Sequence, residues 1–188
     1  MPPSHPHLRA LLADAEHVRQ QAERLRATLS DAQLTWRPDA KTWSVADVFE
    51  HLRKINKAYG RRLDDALARA HPGDAPFRPG PLARLYIWAI SPAGRLPIPA
   101  PPRSRPPATP AGGGDAALAR FLEGQAALEA QIAQADGKDL STGRFASPIL
   151  PVFRLSVGEG LTGLVVHEQR HLGQALRLVA REDFPRGE

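Results

Sequence analysis

Residues 91–114 read SPAGRLPIPAPPRSRPPATPAGGG, and no continuous helix or central strand can pass through them. Each proline lacks a backbone N–H and holds φ near about −65°, so a run this dense adopts extended, polyproline-like backbone. The chain is thereby divided into two arms, and its long regular elements must lie on either side. In both arms the apolar residues recur at helical spacing, and no strand pattern of consequence appears.

In the first arm, Leu8, Leu11, Leu12, Ala15, Val18, Ala22, Leu25 and Leu29 mark one face of a helix from Pro6 to Leu29. His17 falls on the opposite, solvated face. His5 and His7 lie at a proline-flanked, fraying end and receive no role. Residues 30–44 contain Pro38 together with Trp36 and Trp43, whose rings need large packing partners. Ser44 followed by Asp47 reads as an N-cap with an acidic first turn. It opens a second helix, Val45 to Ala70, with Val48, Phe49, Leu52, Ile55, Tyr59 and Leu63 in its stripe. His71-Pro72-Gly73 ends that helix, and His71 is read as a terminal residue.

The segment 72–114 carries one apolar patch, Leu82–Ile90, expected to form a small helix. That patch favours a segment wrapped along the body over a free linker. A third long helix runs from Asp115 to Gln134 on Leu118, Phe121, Leu122, Leu128 and Ile132, with Gly137 suited to its stop. Ser156 and Glu159 form the S-x-x-E signature that opens a fourth. Gly158, Gly160 and Gly163 near its start predict close approach of another backbone. The expectation is an all-α fold: a four-helix bundle in one domain, 1–188, with a long proline-rich crossover (72–114) between helices two and three.

With no cysteine, the chain offers no disulfide, no thiolate metal site and no thiol nucleophile. Its net charge is +5, but the arginines are spread along the chain and no nucleic-acid-binding motif accompanies them, so no nucleic-acid partner is expected. The start lacks the basic and apolar regions of a signal peptide, and no apolar run is long enough to span a bilayer. A cytoplasmic protein acting on a small molecule, with no membrane partner, is the expectation.

The chemistry concentrates in LTGLVVHEQRHLGQALRL, residues 161–178. His167 and His171, four apart, stack on one helical face. His171 lies within the stripe of Leu161, Leu164, Leu172 and Ala175, and His167 borders it; Glu168 points inward and Gln174 extends the histidine row. Turning these groups toward a core is costly unless something uses them, and a divalent metal ion is the simplest candidate. His51, at the edge of the second helix's stripe, is the candidate third ligand, although an edge histidine also reads as a packed residue. Asn56 leans the same way and can orient a neighbour. H-E-Q-R-H also spells the zinc-peptidase motif, but no strand is available to hold a peptide and the residues after His171 offer only Glu182, Asp183 and Glu188 as further acidic ligands.

Trp36-Arg37-Pro38, Trp43-Ser44-Val45, His51-Leu52 and the later H-E-Q-R-H-L-G-Q together resemble the DinB/YfiT-like superfamily of metal-dependent enzymes. The resemblance covers essentially the whole chain, with the middle third matching only as an insertion. It implies a four-helix bundle with a crossover between helices two and three. It also implies a divalent ion, most often zinc or nickel, held by His51, His167 and His171, with Gln174 hydrogen-bonding a ligand. One departure is Leu172, where many members carry arginine; Glu168 and Arg170 fit a branch whose activities are largely unassigned. The implied function is a metal-dependent thiol transferase or hydrolase using a low-molecular-weight thiol; a stress-related metal-binding protein without turnover is the alternative. Glu168 is the candidate general base, with hydrogen bonding to a ligand histidine as its other role. Arg53, Lys54 or Arg170 would form a basic rim for an acidic thiol, and pairing into a homodimer is expected.

Overall fold

The computed structural model describes residues 1–94, 102–106 and 110–186. The extended backbone expected for the prolines at 95–101 and 107–109 lies outside the described residues. The fold is all-α. Its long helices are α1 (Pro6–Thr28), α3 (Val45–Arg69), α5 (Gly113–Gln134) and α6 (Val157–Val179), with shorter α2 (Asp31–Thr35) and α4 (Pro81–Ile90) between them. One small antiparallel pair, Phe145–Ala146 with Arg154–Leu155, closes the loop before α6. Among the described residues no helix is long and apolar enough to cross a membrane.

Local chemistry sets most of the helix starts. Ser44 with Asp47 and Ser156 with Glu159 make complete capping boxes at α3 and α6, satisfying otherwise orphaned N–H groups in both directions. A third box, Ser30 with Gln33, opens α2, a helix too short for apolar periodicity to reveal. Helix α5 begins two residues earlier than Asp115 because its cap comes from elsewhere. The Asp31 carboxylate accepts from the Gly114 and Asp115 amides at 2.6 and 3.0 Å. Gly113, at φ 83°, leaves room for it, since a Cβ there would stand 2.7 Å from that carboxylate.

The N-terminus is tied down rather than frayed. His5 is buried and its Nδ1 caps α1 by accepting from the His7 amide at 3.2 Å. The amides of Ser4 and His5 donate to Asp136 at 2.8 and 3.0 Å, and His7 Nε2 lies 2.9 Å from Thr162 Oγ1. These partners lie far away in sequence, so the terminal position alone misleads.

Helices α1 and α3 each pack against both α5 and α6. The buried side chains fall into two clusters. Helices α1 and α6 run from the cluster holding Leu8 and Leu161 toward the one holding Val18 and Leu172. Helices α3 and α5 run the other way, from Phe49 and Phe121 toward Leu63 and Ile132. Since α3 and α5 point in the same direction, the chain between them must return along their length, and α4 does so packed on α6. The aromatic pair Phe49–Phe121, ring centroids 4.9 Å apart, joins α3 to α5. Each ring contributes about 1.5–3 kcal/mol of burial.

The first glycines of α6 admit close neighbours: the Gly158 amide donates to the Leu140 carbonyl at 2.9 Å, and aromatic rings press on both Gly158 and Gly160. A Cβ on Gly158 or Gly160 would stand 2.6 Å from the rings of Phe77 and Phe145 respectively. Between the two apolar clusters lies a polar layer, and it contains the residues of interest.

Candidate metal centre beside an apolar cavity

His51 comes from the second turn of α3, while His167 and His171 come from successive turns of α6, which packs against it. The three rings converge: centroids are 5.2 Å apart for His51 and His167, 4.7 Å for His51 and His171, and 4.5 Å for His167 and His171. One nitrogen from each lies within 4.8 Å of the others.

Their partners decide which nitrogens are free. His51 Nδ1 donates to the Ser104 carbonyl at 2.8 Å, since a carbonyl can only accept. His171 Nδ1 donates to Gln174 Oε1 at 2.9 Å. Both rings therefore turn an unprotonated Nε2 into the cluster, the tautomer that outer hydrogen bonds commonly impose on metal-binding histidines. His167 Nε2 lies 3.4 Å from His51 Nε2, and its Nδ1 is buried without a hydrogen-bond partner. Trp43 walls the group, with its ring 5.0 Å from His51 and stacked 6.0 Å from His171. Trp36 finds its own partner in Phe184, 5.4 Å away and edge-on.

All three histidines are held neutral. Burial is the largest cause for each. It lowers His51 despite the Ser104 carbonyl, drives His167 well down with help from His171 and His51, and pulls His171 to about 3 with help from His51. Neutral imidazoles keep the lone pairs that a cation needs. The spacing also fits: two nitrogens each about 2.0–2.1 Å from a tetrahedral ion stand about 3.4 Å apart, the separation of His51 and His167 Nε2. The donor set is all borderline nitrogen, with no thiolate, which suits a divalent transition-metal ion.

The cluster opens onto a cavity of about 850 Å³ between α3, α4, α6 and the loop at residues 149–153. Ile55, Leu85, Tyr86, Ile90, Phe153 and Leu164 exemplify its walls, with Tyr86 stacked on Phe153 at 5.5 Å. Of the expected basic rim only Arg170 lines the cavity, and its Nη1 donates to the Ala89 and Ser91 carbonyls at the end of α4. Arg53 instead pairs with Glu50 at 2.6 Å, and Lys54 donates to the Arg105 carbonyl at 2.7 Å.

Glu168, the candidate general base, stands apart from the cavity. Its side chain is fully buried and does not line the cavity. Instead it accepts from Asn56 Nδ2 at 2.7 Å and Gln125 Nε2 at 3.0 Å, and Gln125 Nε2 also reaches the Ala15 carbonyl at 3.1 Å. This network joins all four long helices. Burial pushes the Glu168 carboxyl up to about 7, against the opposing effect of its two amide donors. Gln125 escaped the sequence reading although it interrupts the α5 stripe between Phe121 and Leu128, which was the available signal. The Ser104 carbonyl had no such signal, because backbone acceptors in a proline-rich segment carry no pattern.

An all-α chain with three converging neutral histidines defines a helical protein with a possible divalent-metal site. The chain belongs to the DinB superfamily, whose family model matches residues 14–175. Comparison with curated proteins and with solved structures returned no match.

Proposed function

We propose that the protein is a divalent-metal-dependent enzyme that transfers a low-molecular-weight thiol to an electrophilic small molecule. The observation that carries this reading is that the three converging histidines line a large cavity rather than being sealed in the core. A structural ion is closed off by its ligands, whereas a catalytic one keeps a position for a reactant. In this reading the four long helices are the family's four-helix bundle, and His51, His167 and His171 hold the ion.

An ion held by His51, His167 and His171 would supply Lewis acidity, which would make a thiol or a water acidic near neutral pH. The choice between thiol transfer and hydrolysis rests on the residues around it. Among the described residues no aspartate or glutamate lines the cavity, so a general base for water is missing. A thiol whose acidity is raised needs none: its proton goes to solvent, its sulfur bonds to the electrophilic carbon, and the leaving group departs with the bonding pair. Ser104 and Gln174 fix the rings of His51 and His171, and Trp43 shields one side of the cluster from water.

The test is thiol consumption by the zinc- or nickel-loaded protein with chlorodinitrobenzene and a panel of small thiols. Metal-dependent consumption with at least one thiol is expected, falling by about a hundredfold or more in His51→Ala. A metal-loaded protein that consumes none would favour metal storage without turnover instead.

A further inference from the structure

The cavity walls carry information about the acceptor that the histidines do not. The polar groups facing the cavity are largely committed to one another. Arg170 bonds the end of α4, Gln174 bonds His171, and the Tyr59 hydroxyl lies 2.8 Å from Ser147 Oγ and 3.4 Å from the Tyr86 hydroxyl. Apart from the exposed Lys41 and from Thr42, whose hydroxyl donates to Asp39 at 2.9 Å, what remains of the lining is aliphatic and aromatic. Its outer lip is also apolar: Leu82 and Leu85 on α4 are 72% and 62% exposed, and Leu150 on the facing loop is 41% exposed. Three large exposed aliphatic side chains around one opening are unfavourable for a protein surface unless something covers them.

Gly163 adds an independent observation. It lines the cavity from the middle of α6, where glycine costs about 0.5–1 kcal/mol relative to alanine. Packing does not require it, because a Cβ there would meet only Tyr86 and Ile90, at 3.8 and 3.9 Å. Gly158 and Gly160 on the same helix are required by the rings pressed against them, whereas Gly163, like Gly173, is not. Its missing side chain widens the cavity directly opposite α4.

We infer that the cavity binds an amphiphile: an extended aliphatic or aryl body along the α4–α6 wall, with its polar, reactive end at the three histidines. This rests on the proposed metal-dependent function and adds the class of molecule it acts on. A volume of about 850 Å³ is within the roughly 300–1,000 Å³ of small-molecule sites. The histidine end of the cavity admits one polar head, and among the described residues the remaining walls offer few unused polar partners beyond Lys41. Highly hydroxylated or multiply charged acceptors are thereby disfavoured, since each polar group would lose water and gain little.

Two probes separate the cavity from the ion: octanohydroxamate and acetohydroxamate, which share a metal-seeking head and differ by six methylenes. Titration calorimetry on the zinc-loaded full chain is expected to show octanohydroxamate binding at least a hundredfold tighter, since each buried methylene strengthens binding roughly fourfold. Leu85→Glu should reduce that ratio at least tenfold with metal content unchanged, the side chain being exposed. Gly163→Leu, which fills the wall, should reduce it as well. Affinities for the two hydroxamates within threefold of each other would overturn the inference. A high chain-length ratio that is indifferent to removing the metal would leave the inference standing and defeat the metal reading instead.

Discussion

His167 and Glu168 are adjacent in sequence, one half-buried and the other fully buried, and they serve different faces of the same helix. His167 turns toward the cavity, where its Nε2 meets that of His51 and its Nδ1 has no partner. Glu168 turns between the helices, where two amides hold its oxygens. Burial shifts both groups toward their neutral forms, but the consequences differ. A neutral imidazole in a cluster of neutral imidazoles is a ligand waiting for a cation. A neutral carboxyl between amides is a polar pin that fixes how four helices pack. The lesson is that an inward-facing H-E pair does not by itself place the glutamate at the chemistry.

Removing a histidine should break one side of this comparison only. His171→Ala is expected to reduce zinc or nickel from near one ion per chain to less than about a tenth of that, because a two-imidazole site binds far more weakly. Helical content should be unchanged. Elemental analysis after desalting, with circular dichroism, reads both. Retained metal in this variant would show that the three histidines do not form the site.

Next in size come changes at Glu168, which should cost stability and spare the metal. Glu168→Ala leaves two buried amides without an acceptor and opens a void, for a loss of about 2–4 kcal/mol in urea unfolding. Glu168→Gln tests the protonation directly. Unfolded, the carboxyl titrates near 4.5; folded, it titrates at about 7. Between these values the unfolded chain has released a proton that the folded one keeps, so stability falls as pH rises through the window, by roughly 3 kcal/mol at most. The histidines act in the opposite direction. His171 titrates at about 3 when folded and near 6.5 when unfolded, so without metal it withdraws stability as pH falls from 6.5 toward 3. Glu168→Gln should remove the first slope and leave the second. Parallel stability curves for the variant and wild type between pH 4.5 and 7 would show that folded Glu168 is ionised there. Turnover, which would be lost if Glu168 were the base, should survive the substitution.

Much of this was legible in the sequence, because the relevant signals are periodic or local. The long helices follow from apolar stripes, two of their starts from S-x-x-D and S-x-x-E, and the histidine pair from its four-residue spacing. The short helix at Pro81–Ile90 followed from its apolar patch. What stayed hidden depends on tertiary partners. The cap that Asp31 supplies to α5, the burial of His5 and the Ser104 acceptor for His51 join residues far apart in the chain. The direction of Glu168 was hidden for a related reason. Two inward-facing positions on one helix look alike on a wheel until the neighbouring helices decide which faces a cavity and which faces the core.

The smallest expected effect lies in the hydrogen bonds behind the ligands, and it tests how far the two sides of α6 are independent. Gln174 Oε1 accepts from His171 Nδ1, fixing the tautomer that leaves Nε2 free. Gln174 also lines the cavity, so its side chain can be removed without touching the Glu168 network. Gln174→Ala should weaken metal affinity by about 10–100-fold, the usual cost of losing such a partner, while the site still fills at saturating metal. Gln174→Glu should restore it, since a carboxylate accepts the same proton more strongly. Urea stability of the metal-free protein should move by less than about 0.5 kcal/mol in either variant, as for other substitutions outside the core. If both variants lower metal-free stability as much as Glu168→Ala does, Gln174 belongs to the packing of the helices and the division drawn along α6 fails.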